Sequence, residues 1–192
     1  MQKNQDANKS PDMDMEKSEE IFRSFSEQSL VGVYLIQGDK FVYVNPKFAD
    51  IFGYTVEECI NTMLFHDLIH PDDLKLVQEQ VRKRLAGEIS SIQYEFRGIK
   101  KNKAMIHVEI YGSTIVYKGL PAATGTILDI TKRKQAEQAL LKSEHQMQTI
   151  IEHSNELFYI HDTNHILTYV SPTSQAFLGY PPEEMKRKWT KL

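Results

Sequence analysis

VYVNPKFADIFGYTVEE, residues 42–58, finds an echo in TYVSPTSQAFLGYPPEE, residues 168–184. The two stretches share letters, and where the letters differ they share structural grammar. Asn45-Pro46 and Ser171-Pro172 each set a capping residue type ahead of a proline at the first helical position. Gly53 and Gly179 each follow a short apolar run, where a helix ends on a left-handed residue. Thr55-Val56-Glu57-Glu58 reads as a capping box opening the next helix. Pro181-Pro182-Glu183-Glu184 meets the same need with ring constraint and negative charge at the helix N-terminus.

The echo begins upstream. KSEEIFRSFSEQS, residues 17–29, aligns with KSEHQMQTIIEHS, residues 142–154, at an offset one residue shorter than the downstream pair. The extra residue fits a turn between two strands, Gln37 to Lys40 in the first copy and Asp162 to His165 in the second. Two matches in order imply an internal repeat.

Only the first copy runs on. Gly32–Ile36 and Phe41–Val44 predict a hairpin, followed by short helices near 46–52 and 55–60. His70-Pro71-Asp72-Asp73 opens a longer helix, with His70 as the capping residue and Asp72 and Asp73 favoured by the helix dipole. Leu74, Val77, Val81 and Leu85 supply that helix with one apolar face. Ser91–Arg97 and Ala104–Tyr111 alternate apolar and polar residues, and a β-branched run over about 122–130 predicts a last strand. Lys100–Lys103 and Lys118-Gly119-Leu120-Pro121 read as the turns between them. The fold class is therefore α+β: a five-stranded antiparallel sheet, two strands first and three last, with helices covering one face. The second copy stops at Leu192, ahead of its own long helix and last strands, so the chain is expected to be a piece of a longer polypeptide.

The stretch 128–151 joins the copies. Ala136, Leu140, Met147 and Ile150 fall at heptad a and d positions, with Ser143 in the one polar slot. Such spacing also suits a helix packed on its own domain, but the repeats on either side make it a connector leaving one domain and entering the next.

Composition excludes several classes. Lys and Arg number 23 against 26 Asp and Glu, a net charge of −3, so no basic footprint for nucleic acid is present. The lone Cys59 excludes an intrachain disulfide and suits a reducing compartment. No apolar run approaches the roughly 20 residues of a membrane helix, and the polar N-terminus is no signal peptide. A cytoplasmic protein without a membrane segment is expected.

Tyr43-Val44-Asn45-Pro46, Phe52-Gly53-Tyr54, Glu57-Glu58, His70-Pro71-Asp72-Asp73, Glu95-Phe96-Arg97, Val108-Glu109 and Asp129-Ile130-Thr131-Lys132-Arg133-Lys134 together resemble the PAS domain, in the S-box form found in tandem in bacterial and archaeal signalling proteins such as sensor histidine kinases. The resemblance implies the following organisation: a disordered polar tail over 1–16, a PAS domain with an N-terminal flanking helix over 17–131, a connector helix over 132–151, and the N-terminal half of a second PAS domain over 152–192. It implies a sensory module with a small cavity, in which Asp129, Ile130 and Thr131 hand the last strand over to a signalling helix. Flanking helices imply a homodimer, with Ala136, Leu140, Met147 and Ile150 as the seam, and a downstream effector in the same polypeptide.

PAS domains hold haem, flavin, a small metabolite or nothing. Aligning Gly53-Tyr54 puts Leu64 where the photoactive flavin subclass carries its reactive cysteine, and Cys59 lies too early; it reads as a small buried residue. Haem-binding members supply a histidine from the long helix, and Asp73–Leu85 contains none. Haem and flavin are therefore disfavoured, no cofactor is assigned, and an unidentified small ligand is the remaining candidate. His66 and His70 stand four apart near acidic residues, but Pro71 pushes His70 out of helical geometry and no metal site is assigned. The cavity lining implied by the alternation and the resemblance is Phe48, Phe52, Leu64, Leu68, Val77, Tyr94, Ile106 and Val108; apolar residues at such spacing also fill an ordinary core. No phosphoacceptor box, Gly-rich nucleotide loop, cyclase signature or catalytic triad occurs, so this chain is read as no enzyme, with any kinase or cyclase activity belonging to a parent protein.

Overall fold

A computed structural model describes residues 20–189; the polar tail expected over 1–16 lies outside the described residues. The chain forms two compact units, 1–132 and 133–192.

The first unit is built on a five-stranded sheet. Its strands are β1 (Gly32–Gln37), β2 (Lys40–Val44), β3 (Ser91–Ile99), β4 (Met105–Tyr117) and β5 (Leu120–Asp129), in the spatial order β2-β1-β5-β4-β3. Every neighbouring pair is antiparallel. The sequence turns over at 118–119 rather than across 118–121. Lys118 and Gly119 both hold positive φ, 48° and 78°, the two-residue hairpin turn that matches strand twist, and β5 begins at once with Leu120 opposite Tyr117. Pro121 is tolerated there because β1 pairs with β5 only from Ala123 onward, so the missing N–H faces no partner strand.

Helix α1 is described over 20–27. Between β2 and β3 run α2 (Pro46–Phe52), α3 (Val56–Thr62), two 3-10 turns (Phe65–Leu68 and Pro71–Asp73) and α4 (Leu74–Leu85). Their caps follow from local chemistry. The Asn45 side-chain oxygen accepts the Phe48 N–H at 2.9 Å, and Gly53 closes α2 at φ 78°. Thr55 and Glu58 exchange both bonds of a capping box. His70 Nδ1 accepts the Asp72 N–H at 3.3 Å, capping the 3-10 turn. Asp73 does not cap α4: its carboxylate instead takes the Arg97 backbone N–H at 2.7 Å and two guanidinium nitrogens at 3.0 and 2.6 Å, which fastens the turn to β3.

These helices bury their apolar side chains against one face of the sheet. Phe48, Phe52, Cys59, Leu68, Val77, Val108 and Ile127 belong to one continuous core. Each such buried phenylalanine or branched aliphatic side chain contributes roughly 1.5–3 kcal/mol. Helix α4 is turned slightly from its expected face. Val77, Val81 and Arg84 are its buried residues, while Leu74 and Leu85 are only partly covered.

The second unit contains most of α5 (Thr131–His153), a hairpin of β6 (Tyr159–His161) and β7 (Leu167–Val170), then α6 (Ser174–Leu178) and α7 (Pro182–Trp189). Its hairpin repeats a detail of β1–β2. In the first unit Val33 and Asn45 exchange two bonds, Val33 N–H to the Asn45 side chain at 2.8 Å and Asn45 N–H to the Val33 carbonyl at 3.0 Å. In the second, Phe158 and Ser171 do the same at 3.0 and 2.8 Å. Both hairpins carry a register shift, between Leu35 and Ile36 and between Ile160 and His161. Ser171 does not go on to cap a helix at Pro172, however, and α6 starts only at Ser174. The Asn45 amide reaches both Val33 and Phe48, whereas the shorter Ser171 hydroxyl is taken up by Phe158 and, at 2.6 Å, Thr173.

Candidate functional site

Between the sheet and α4 lies a cavity of about 30 Å³. That exceeds the roughly 10–15 Å³ needed to admit one water and suits only a compact guest. Of the side chains expected to line it, Phe48, Phe52, Leu68, Val77 and Tyr94 do so. Leu64, Ile106 and Val108 do not. Leu64 bridges to Lys40 at the sheet margin. Ile106 and Val108 are buried in the core, and β4 instead presents Ile110 to the cavity. The wall also includes Tyr34 from β1 and Arg84 from α4, two residues that the reading of the sequence missed.

Arg84 is 1% exposed. Its Nε donates to the Gln80 carbonyl at 3.3 Å, but Nη1 has no partner, and neither do the hydroxyls of Tyr34 and Tyr94. The guanidinium lies near enough to Tyr34 to lower its pKa through its charge and as a hydrogen-bond donor, although neither Nη1 nor the Tyr34 hydroxyl has a partner within ordinary hydrogen-bond distance and angle. Burial pushes the phenol of Tyr34 above its ordinary pKa, with the Arg84 charge pulling the other way. Tyr94 is raised by burial first and by Tyr34 second, so both hydroxyls keep their protons. The sheet makes room for Arg84 at Gly112. Gly112 on β4 and Gly125 on β5 are directly paired, and Gly125 is in turn paired with Tyr34. A Cβ at Gly112 would collide with Arg84 Nη1, whereas one at Gly125 would first meet the backbone carbonyl of Tyr111 on the neighbouring strand, with the Tyr34 oxygen next at 2.9 Å. A glycine inside a strand marks a close approach, but that these two face each other is visible only in the register of β4 on β5.

At the far end of β5 the chain leaves the sheet through the expected junction residues. Ile130 N–H donates to the His107 carbonyl at 2.9 Å, and the Thr131 hydroxyl oxygen accepts the His107 N–H at 3.0 Å. The Asp129 carboxylate accepts the Thr131 N–H at 2.9 Å, at the first residue of α5. Both polar groups of the His107 backbone on β4 are therefore held by the segment that starts the helix. Along α5, Ala136, Leu140, Met147 and Ile150 are all exposed, Leu140 by 61% and Ile150 by 67%. Among the described residues, no group of three His, Cys, Asp or Glu side chains could hold a metal, and no helix is long and apolar enough to cross a membrane.

A family model described as PAS fold matches residues 41–124. The sheet unit has the PAS fold. The chain is similar to parts of several kinases, sensors and cyclases. Sporulation kinase A of Bacillus subtilis is 24% identical over 130 residues, covering 68% of this chain and 22% of that protein. The probable diguanylate cyclase DgcE of Escherichia coli is 29% identical over 125 residues, 64% of this chain and 11% of that protein. A sensory box histidine kinase/response regulator structure from Burkholderia thailandensis superposes with a TM-score of 0.52 at 23% identity, covering 67% of this chain and 98% of that one. The chain thus spans less than a quarter of the length of these curated relatives.

Proposed function

We propose that the PAS domain senses a small ligand or partner and relays its state through Asp129-Ile130-Thr131 and α5 to a downstream effector, as a dimer. The observation that carries this reading is the double hold of the helix start on His107, beside the core residues Ile106 and Val108. A guest that shifts the inner face of β4 would shift the first turn of α5 with it. The exposed Ala136, Leu140, Met147 and Ile150 support a seam between two α5 helices, with Ser143 as a weak polar layer. We read residues 152–192 as the first half of a second PAS domain, supported by the shared hairpin bonds, the shared register shift and the left-handed Gly179 at φ 76°. The chain itself is read as non-catalytic, with any kinase or cyclase activity elsewhere in a parent protein. A cytoplasmic location is supported by the free Cys59.

Sedimentation velocity of the chain at micromolar concentration tests the dimer. A dimer that Leu140→Asp weakens is expected, and a strict monomer in the parent chain sinks that part. Thr131→Val tests the relay. It should speed amide exchange in the first turn of α5, and unchanged exchange would remove the junction's role.

A further inference from the structure

We infer that the cavity of the PAS domain is a binding site for a compact carboxylate, held by Arg84 with Tyr34 and Tyr94. The inference rests on the sensory reading above and names the class of ligand. A guanidinium cannot shed its charge, and an unpaired buried ion is among the most costly groups a core can contain. Arg84 is such a group: 1% exposed, with Nη1 unpartnered and, among the described residues, no carboxylate in ion-pair contact. The two phenols beside it are neutral and unpartnered, so both can donate an O–H to an anion. One cation and two hydroxyl donors converge on a cavity otherwise walled by apolar residues such as Phe48, Phe65 and Val77. That is the arrangement for a planar anion with a short apolar tail, because a carboxylate matches the guanidinium fork and its tail meets hydrocarbon. The volume of about 30 Å³ limits the guest to a few non-hydrogen atoms, the size of formate or acetate. Gly112 leaves room for the guanidinium, since a side chain there would occupy the position of Nη1.

The test is a nuclear magnetic resonance titration of the full chain, labelled with nitrogen-15, with sodium formate and sodium acetate, against sodium chloride at matched ionic strength. Saturable shifts of the Gly112 and Gly125 amides and of Arg84 Nε–H are expected with a carboxylate and not with chloride. Arg84→Met should abolish saturation, and Tyr34→Phe and Tyr94→Phe should each weaken binding by up to about tenfold. An absence of saturable response to either carboxylate, an equal response to chloride, or a carboxylate response surviving in Arg84→Met with its other amide shifts intact would each overturn the assignment. The amides of His107 and Thr131 score the sensory reading separately. Carboxylate binding that leaves them unmoved keeps the site and removes the relay; another small molecule that moves them, with no response to carboxylates, does the reverse.

Discussion

Replacing Arg84 by methionine should make the ligand-free PAS domain more stable, although it deletes a fully buried side chain. Methionine keeps the unbranched stem that packs beside Val77 and Val81 on α4 and removes the charged end. Exchanging buried ions for apolar residues of similar volume has stabilised proteins by about 1–4 kcal/mol, and the unpaired state of Nη1 argues against the low end of that range. Two losses oppose the gain. The Nε bond to the Gln80 carbonyl, long at 3.3 Å, is worth about 1 kcal/mol at most. The space left by the guanidinium tip costs about another 1 kcal/mol. A net gain of about 1–2 kcal/mol remains, which raises the melting temperature by about 3–10 °C for a domain of this size. Urea and thermal unfolding followed by circular dichroism, in a buffer free of carboxylates, would measure it. Destabilisation by more than about 1 kcal/mol would refute the reasoning, because it would mean that the charge is well satisfied where it lies. Acetate sharpens the comparison. At one hundred times its dissociation constant it should add about 2.7 kcal/mol to the parent chain and nothing to Arg84→Met, reversing their order of stability.

Three further outcomes follow from other parts of the unit. Hydrogen bonding to Arg97 holds the Asp73 carboxyl near a pKa of about 2 against an ordinary 3.8. A depressed carboxyl stabilises the fold above its unfolded pKa, so about 1–2 kcal/mol, after allowance for solvent screening, should drain away as pH falls from about 4 to 2. Asp73→Asn should lack that acid dependence in urea titrations at stepped pH; an unchanged profile would assign it elsewhere. Asn45 is fully buried and bonds Val33 N–H, Phe48 N–H and the Ser26 and Val31 carbonyls. Asn45→Ala should cost about 3 kcal/mol by denaturant unfolding, and a loss below about 1 kcal/mol would show those groups satisfied by other means. Burial pushes the Cys59 thiol up to about 11, with Glu58 and Glu57 adding to the shift. It should react with an aromatic disulfide reagent at pH 8 at least about a hundredfold more slowly in the folded than in the unfolded chain; comparable rates would contradict its burial.

The difference between what the sequence makes plain and what it hides lies in the range of the interactions. Hairpin, caps and strand alternation are decided within a few residues, which is why Thr55 with Glu58, Gly53 at positive φ and the alternation of Ile106, Val108 and Ile110 are legible without a structure. The turn at Lys118-Gly119 is mistaken by two residues because Pro121 reads as a loop signal, and only the ladder shows that its missing N–H has no strand to meet. The cavity is obscured for a different reason. Counting apolar letters on α4 selects Leu74, Val77, Val81 and Leu85, yet the inward stripe runs 77, 81, 84, and its last member is a charge that any such count discards. Its complement is equally hidden: only the packing of α4 on the sheet sets Gly112 beneath Arg84, and only the register of β4 on β5 sets Gly125 opposite Gly112. A sequence whose local signals otherwise agree with its fold breaks the pattern where a requirement other than folding is met. Here one break, a cation on the buried side of a helix, coincides with a second, the glycine at 112 that leaves it room, and with two unpartnered hydroxyls. Packing against Arg84 explains the glycine, but not the unpartnered cation and hydroxyls, and an anion between those groups would partner all of them.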